Sequence, residues 1–179
     1  MWKLLFLLGC WGACWSCQSD PAEQRTTSSN SVWTSYRSVH AFCLPQTTGD
    51  TLCLKAFAGH KLLIINLPDS LTTHAIEDLR RIQDITDTRL SLLGTIAGER
   101  SKPDTLSFPV ATKVAHSGLS RHPLYRWLSD PTLNGWNSDT TNGYFSKYLI
   151  DEEGHLLRYY DARTPPSEIV HQINQEEID

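Results

Sequence analysis

One segment limits the architecture more than any other: Lys61-Leu62-Leu63-Ile64-Ile65-Asn66-Leu67, bounded by Gly59-His60 before it and Pro68-Asp69-Ser70 after it. A strand with one wet face alternates apolar and polar residues, because successive side chains point to opposite sides. This run does not alternate, so it reads as a central strand covered on both faces. The next pattern has a different period. Ile76, Leu79, Ile82 and Ile85 recur every three residues with charges between them, which predicts a helix over Ala75–Ile85.

Other segments extend the alternation. Val39–Leu44 and Thr51–Leu54 flank a polar, glycine-containing turn at Pro45–Asp50, a hairpin signal with a loop longer than two residues. Arg89–Gly94 reads as a strand, and Pro123 suits the first residue of a short helix through Leu128. Tyr144–Ile150 and His155–Tyr160 read as two strands joined by Asp151-Glu152-Glu153-Gly154, whose glycine suits a positive backbone angle. Pro165-Pro166-Ser167-Glu168 opens a last helix carrying Ile169, Val170 and Ile173. This order predicts an α/β fold in which a mixed sheet is flanked by helices and preceded by an N-terminal hairpin.

With 179 residues, 40 % of them apolar, the chain can bury a core without metals or staples. Its net charge is -4, and beyond residue 17 it carries 15 basic against 20 acidic groups. That balance argues against nucleic acid as a partner. The seven histidines (40, 60, 74, 116, 122, 155 and 171) form no His-x-x-x-His pair, so no metal or other cofactor is expected.

The first residues form their own unit. One positive charge, Lys3, precedes a short apolar run too short to span a bilayer of about 30 Å. Cys10, Cys14 and Cys17 each follow a small residue, and polarity changes abruptly at Gln18. Residues 1–17 therefore read as an export signal resembling that of a bacterial lipoprotein, with Cys17 the expected lipidation site and Cys14 the runner-up. Residues 18–31 lack large apolar side chains until the domain begins and read as a flexible polar tether. Residues 32–179 form the domain. The expected location is the cell envelope, and the expected partners are the membrane, through the lipid, and an unidentified protein or small-molecule ligand.

Three stretches in order carry a resemblance: Phe108-Pro109, His122-Pro123-Leu124-Tyr125, and Phe145-Ser146-Lys147-Tyr148-Leu149-Ile150-Asp151-Glu152-Glu153-Gly154. Together with Gly59-His60-Lys61 and Ile64-Ile65-Asn66-Leu67-Pro68-Asp69, they resemble the glutathione peroxidase family over about residues 33 to 175. The resemblance implies a thioredoxin-like fold and a thiol or selenol peroxidase that responds to oxidative stress.

The resemblance also implies a thiolate or selenolate five residues beyond Asn66, at the start of the following helix, where backbone N–H groups favour an anion. That position is Leu71, and no cysteine follows Cys53. The family's Gln, expected in Gly94–Arg100, is absent, with Glu99 the nearest position. Gly143-Tyr144 stands where the family has Trp-Asn. The pair Trp136-Asn137 lies seven residues too early and reads as loop packing. His122 reads as a cap or packing residue, and Arg121 and Arg126 as a solvated face or an anion-binding edge.

Two functional readings follow. In the first, the chain is a non-enzymatic binding or structural domain, a pseudoenzyme, in which Leu71, Glu99, Gly143 and Tyr144 mark a dismantled site. In the second, it remains a thiol-dependent peroxidase through Cys43 or Cys53. Those cysteines face each other if the hairpin turn is centred near Thr48, which makes them a candidate disulfide in an exported protein. Two free thiols are the alternative.

Overall fold

The computed structural model describes residues 38–46, 48–85, 90–99, 106–139 and 143–175. The expected signal, tether and Cys17 lie outside them. The continuous apolar run is strand β3 (Lys61–Leu67), preceded by β1 (Cys43–Pro45) and β2 (Thr51–Cys53). Helix α1 (Thr73–Ile85), β4 (Leu90–Ile96), β5 (Val110–Ala111), α2 (Pro123–Leu128) and α3 (Pro131–Asn134) follow. The described chain closes with β6 (Lys147–Ile150), β7 (Leu156–Tyr160) and α4 (Pro166–Gln175).

β3 is central in a five-stranded sheet of order β5-β4-β3-β6-β7. It runs parallel to β4, with Ile64 beside Leu93, and antiparallel to β6, with Ile64 beside Tyr148. Alternation divides its side chains between two cores. Leu62 and Ile64 pack with Tyr148, Ile150, the hairpin residue Leu44, and Leu124, Trp127 and Leu128 of α2. Leu63, Ile65 and Leu67 pack with Leu149, with Leu79 and Ile82 of α1, and with Ile169 and Ile173 of α4. Each fully buried aliphatic side chain contributes about 1.5–3 kcal/mol, so both faces of this strand are strongly specified.

The expected mixed sheet is present, with shifted boundaries. The hairpin is shorter than its apolar pattern suggested. Val39–Ala41 forms a 3-10 turn whose entry is capped by the Ser38 side chain, and the Val39 N–H donates to Gly154 O at 2.9 Å. Leu54–Phe57 likewise turns into 3-10 helix instead of extending β2. Tyr144 lies outside β6, because Phe145 adopts φ 67° and breaks the extended backbone before Lys147. Gly154 has φ 91°, as the β6–β7 turn requires. The hairpin pairs Cys43 with Cys53, Leu44 with Leu52 and Pro45 with Thr51. A disulfide joins Cys43 to Cys53 on its exposed face, while Leu44 is buried on the other.

Candidate functional site

The end of β3 organises the region that the resemblance marks. Asn66 is only 2 % exposed. Its backbone N–H donates to Ser146 O at 2.9 Å, and its carbonyl accepts from Phe145 N at 2.6 Å. Its side-chain Nδ2 donates to Gly143 O at 3.0 Å. Three bonds from one residue thus hold the segment 143–146 against the end of the central strand. Its Oδ1 is buried without a hydrogen-bond partner among the described residues. The segment carries backbone strain at Phe145, since a left-handed conformation costs a residue with a Cβ about 1–2 kcal/mol.

Leu71 lies in the loop between β3 and α1. It is half-buried and packs against the core under α1 and α4, as does Phe145. The start of α1 is already capped: Thr72 Oγ1 accepts from Ala75 N at 3.2 Å, and Thr72 O accepts from Ile76 N at 3.0 Å. One of the donors that could stabilise an anion there is therefore engaged by the chain's own hydroxyl.

Gly143 contributes a carbonyl that already accepts from Asn66 Nδ2, and from Ser146 Oγ at 3.3 Å. The Tyr144 side chain is 51 % exposed. Neither offers the indole or amide donor of the family's motif. Glu99 is exposed and pairs with Lys113 Nζ at 2.8 Å; that hydrogen bond and the ammonium charge hold its carboxyl below the usual range. The turn bearing Glu99 approaches the β3–α1 loop closely, because a Cβ on Gly98 would lie 2.6 Å from Asp69 Oδ1. Asp69, Ser70, Gly98 and Glu99 line a shallow groove of about 530 Å3 there. Two carboxylates beside this loop disfavour a further negative charge.

Behind the loops lies a buried polar network that the sequence reading did not identify. Thr95 Oγ1 lies 2.6 Å from Tyr125 OH and 3.2 Å from His116 Nε2. Burial pushes His116 down to about 4 and the Tyr125 hydroxyl upward, so both are neutral at pH 7. Sequence separations of 21 and 30 residues gave no local signal for this grouping.

The remaining candidates have structural partners. His122 caps α2, its Nδ1 accepting from Leu124 N at 3.2 Å. Trp136 Nε1 donates to Leu156 O at 2.8 Å, and Asn137 Nδ2 donates to Leu128 O at 2.6 Å, so this pair secures loops. Arg121 Nη1 donates to Ser129 Oγ at 2.7 Å, and Arg121 and Arg126 share a groove that also contains Asp130. Cys43 and Cys53, joined to each other, present no thiol in this structure. Among the described residues, no three His, Cys, Asp or Glu side chains are placed to hold a metal, and no helix is long and apolar enough to cross a membrane.

No protein-family model matches the chain. Individual relatives do. A glutathione peroxidase homolog BsaA of Staphylococcus epidermidis is 24 % identical over 155 residues, covering 77 % of this chain and 98 % of the relative. A probable phospholipid hydroperoxide glutathione peroxidase of Solanum lycopersicum is 26 % identical over 157 residues, covering 78 % and 92 %. Among solved structures, Trgpx in apo form aligns with a TM-score of 0.64 at 23 % identity, over 79 % of this chain and 96 % of the other. The GPX1 structure of T. cruzi gives 0.60 at 19 % identity, over 76 % and 94 %. The solved structures share the thioredoxin-like fold of this chain, and relatives aligned over most of both chains support a glutathione peroxidase-like member of that fold.

Proposed function

We propose that this protein is a non-catalytic glutathione peroxidase-like domain, exported and held at a bacterial membrane surface by a lipid on Cys17, and that it acts by binding. The observation that carries the first part is Leu71, which occupies the position five residues beyond Asn66 with no cysteine anywhere after Cys53. A hydrocarbon side chain cannot ionise or form a bond to a peroxide oxygen. The surrounding positions support the same reading, because Glu99 is tied to Lys113 and the Gly143 carbonyl to Asn66. The anchoring part rests on the short apolar run and the polarity break at Gln18.

The direct test is peroxide consumption by the purified full-length protein, with hydrogen peroxide and an organic hydroperoxide, each with glutathione or thioredoxin as reductant. The expected rate equals that of the mixture without protein. Turnover that disappears in Cys43→Ser or Cys53→Ser would overturn this proposal in favour of a peroxidase using the hairpin cysteines.

A further inference from the structure

A cavity of about 550 Å3 lies between α1 and α4, within the range that small organic ligands occupy. Its apolar lining includes Leu79 and Ile82 of α1, Phe145 before β6, and Pro165 and Pro166 at the start of α4. One further lining residue is out of character. Lys147, the first residue of β6, is only 5 % exposed. It pairs across the sheet with Ile65 and shares a sheet face with Leu149, so the pattern of its neighbours calls for an aliphatic side chain.

A buried ammonium is ordinarily matched by a carboxylate. Lys147 Nζ donates instead to the carbonyls of Asp161 and Thr164, both at 3.4 Å, beyond the usual range for such bonds. Its third proton has no acceptor among the described residues. The carboxylates nearby have other cations. Asp161 pairs with Arg163 at 3.3 Å, and Asp78 with Arg81 at 3.7 Å and His74 at 3.6 Å. With Asp161 paired to Arg163 and Asp78 shared by Arg81 and His74, Lys147 is the cation of the lining that has no carboxylate at contact distance among the described residues.

We propose that this cavity binds a small organic anion with an apolar body, its carboxylate or sulfonate head on Lys147 and its body against Leu79, Ile82 and Phe145. The anion supplies a negative charge at contact distance and a third acceptor, beyond the more distant pull of Asp161 and Asp78 on this ammonium. Lysine presents a compact charge suited to such a head group. This site stands independently of whether peroxide chemistry is absent at Leu71.

The test uses 2-naphthoate and its neutral counterpart 2-naphthalenemethanol, titrated calorimetrically into the purified full-length protein. Naphthoate is expected to bind one to one and at least about tenfold more tightly than the alcohol. A charge-assisted hydrogen bond corresponds to about ten- to a hundredfold in affinity, so Lys147→Met should weaken naphthoate by that factor and leave the alcohol unchanged. If Lys147 merely ties the Asp161 and Thr164 carbonyls, the two probes will bind equally or not at all, and the proposal fails. Should Lys147→Met not fold, Lys147→Gln decides, since it keeps amide donors for the two carbonyls but removes the charge. It is expected to weaken naphthoate at least about tenfold and leave the alcohol unchanged. Unchanged naphthoate affinity in that variant would overturn the charge assignment.

Discussion

If Leu71 stands at a lost nucleophile position, as proposed above, installing a thiol there by itself should produce almost no peroxidase. In Leu71→Cys the new thiol would stand in the β3–α1 loop, where Thr72 Oγ1 already caps Ala75 N and Asp69 and Glu99 line the adjoining groove. With one donor of the α1 start engaged by Thr72 and two carboxylates beside the loop, the thiol is expected to stay near an ordinary value of about 8.5, so only about a few per cent is thiolate at pH 7. The donors that would hold a peroxide are also absent. Gly143 has no side-chain donor, the Tyr144 side chain is exposed, and Glu99 is an anion bound to Lys113. Each positioned donor is worth about 10²–10³ in rate, so losing even two leaves turnover about 10⁴-fold or more below a complete site. Leu71 is only half-buried, and trimming it should cost about 1 kcal/mol, so the variant should remain folded. The assay is peroxide consumption at pH 7 with glutathione or thioredoxin, beside wild type and Leu71→Ser, with thiol titration to locate the new pKa. The expected rate is that of free cysteine. A thiol pKa well below 8.5, or turnover within tenfold of a complete family enzyme, would refute the reasoning.

Three further outcomes follow from other parts of the molecule. The Cys43–Cys53 bond closes a loop of sequence separation 10, so replacing both residues by serine should lower unfolding free energy by about 2–3 kcal/mol in a denaturant titration; an unchanged midpoint would remove the disulfide from the folded protein. Burial holds His116 down to about 4 against an ordinary 6.5, so the folded state takes up this proton less readily. Its contribution is full above about pH 6.5 and is lost as pH falls toward 4, by up to about 3 kcal/mol, a slope that His116→Gln should flatten in pH-dependent unfolding. Mass spectrometry of membrane-extracted protein should find acylated Cys17, or Cys14; an intact unmodified Met1 in a soluble fraction would contradict the anchor.

What the sequence disclosed depended on how local the cause was. The β3 run, the three-residue spacing in α1, Gly154 in its turn and the opposition of Cys43 and Cys53 are set within a dozen residues, and each was legible. β5 was not, because two residues carry no period; it exists through its pairing with Gly94 and Thr95 and the bridge from Gln46 to Ala111. α3 has only four residues and gave no pattern either. Asn66 was visible as part of a motif, but its hold on Gly143 crosses 77 residues. Lys147 could be placed on a strand from sequence, whereas its burial arises from α1 and α4 closing over that sheet face.

The same distinction explains why the resemblance survives in some positions and fails in others. Phe108, Leu124, Tyr125, Tyr148, Leu149 and Ile150 are all buried, and each fills a shape fixed by the sheet and its helices. A change there leaves a cavity or an unmatched polar group, with a cost of about 1–5 kcal/mol to the fold itself. Glu99, Gly143 and Tyr144 sit on exposed loops and carry no such burden. The loop from 143 to 146 is held by backbone groups and Asn66, so its placement against β3 does not require the side chains that would contact a peroxide. A Cβ added at Gly143 would meet no atom within 4 Å. The frame therefore has room where the motif calls for an indole, and what separates this chain from that motif is the chemistry of a few side chains on a backbone whose packing is indifferent to them.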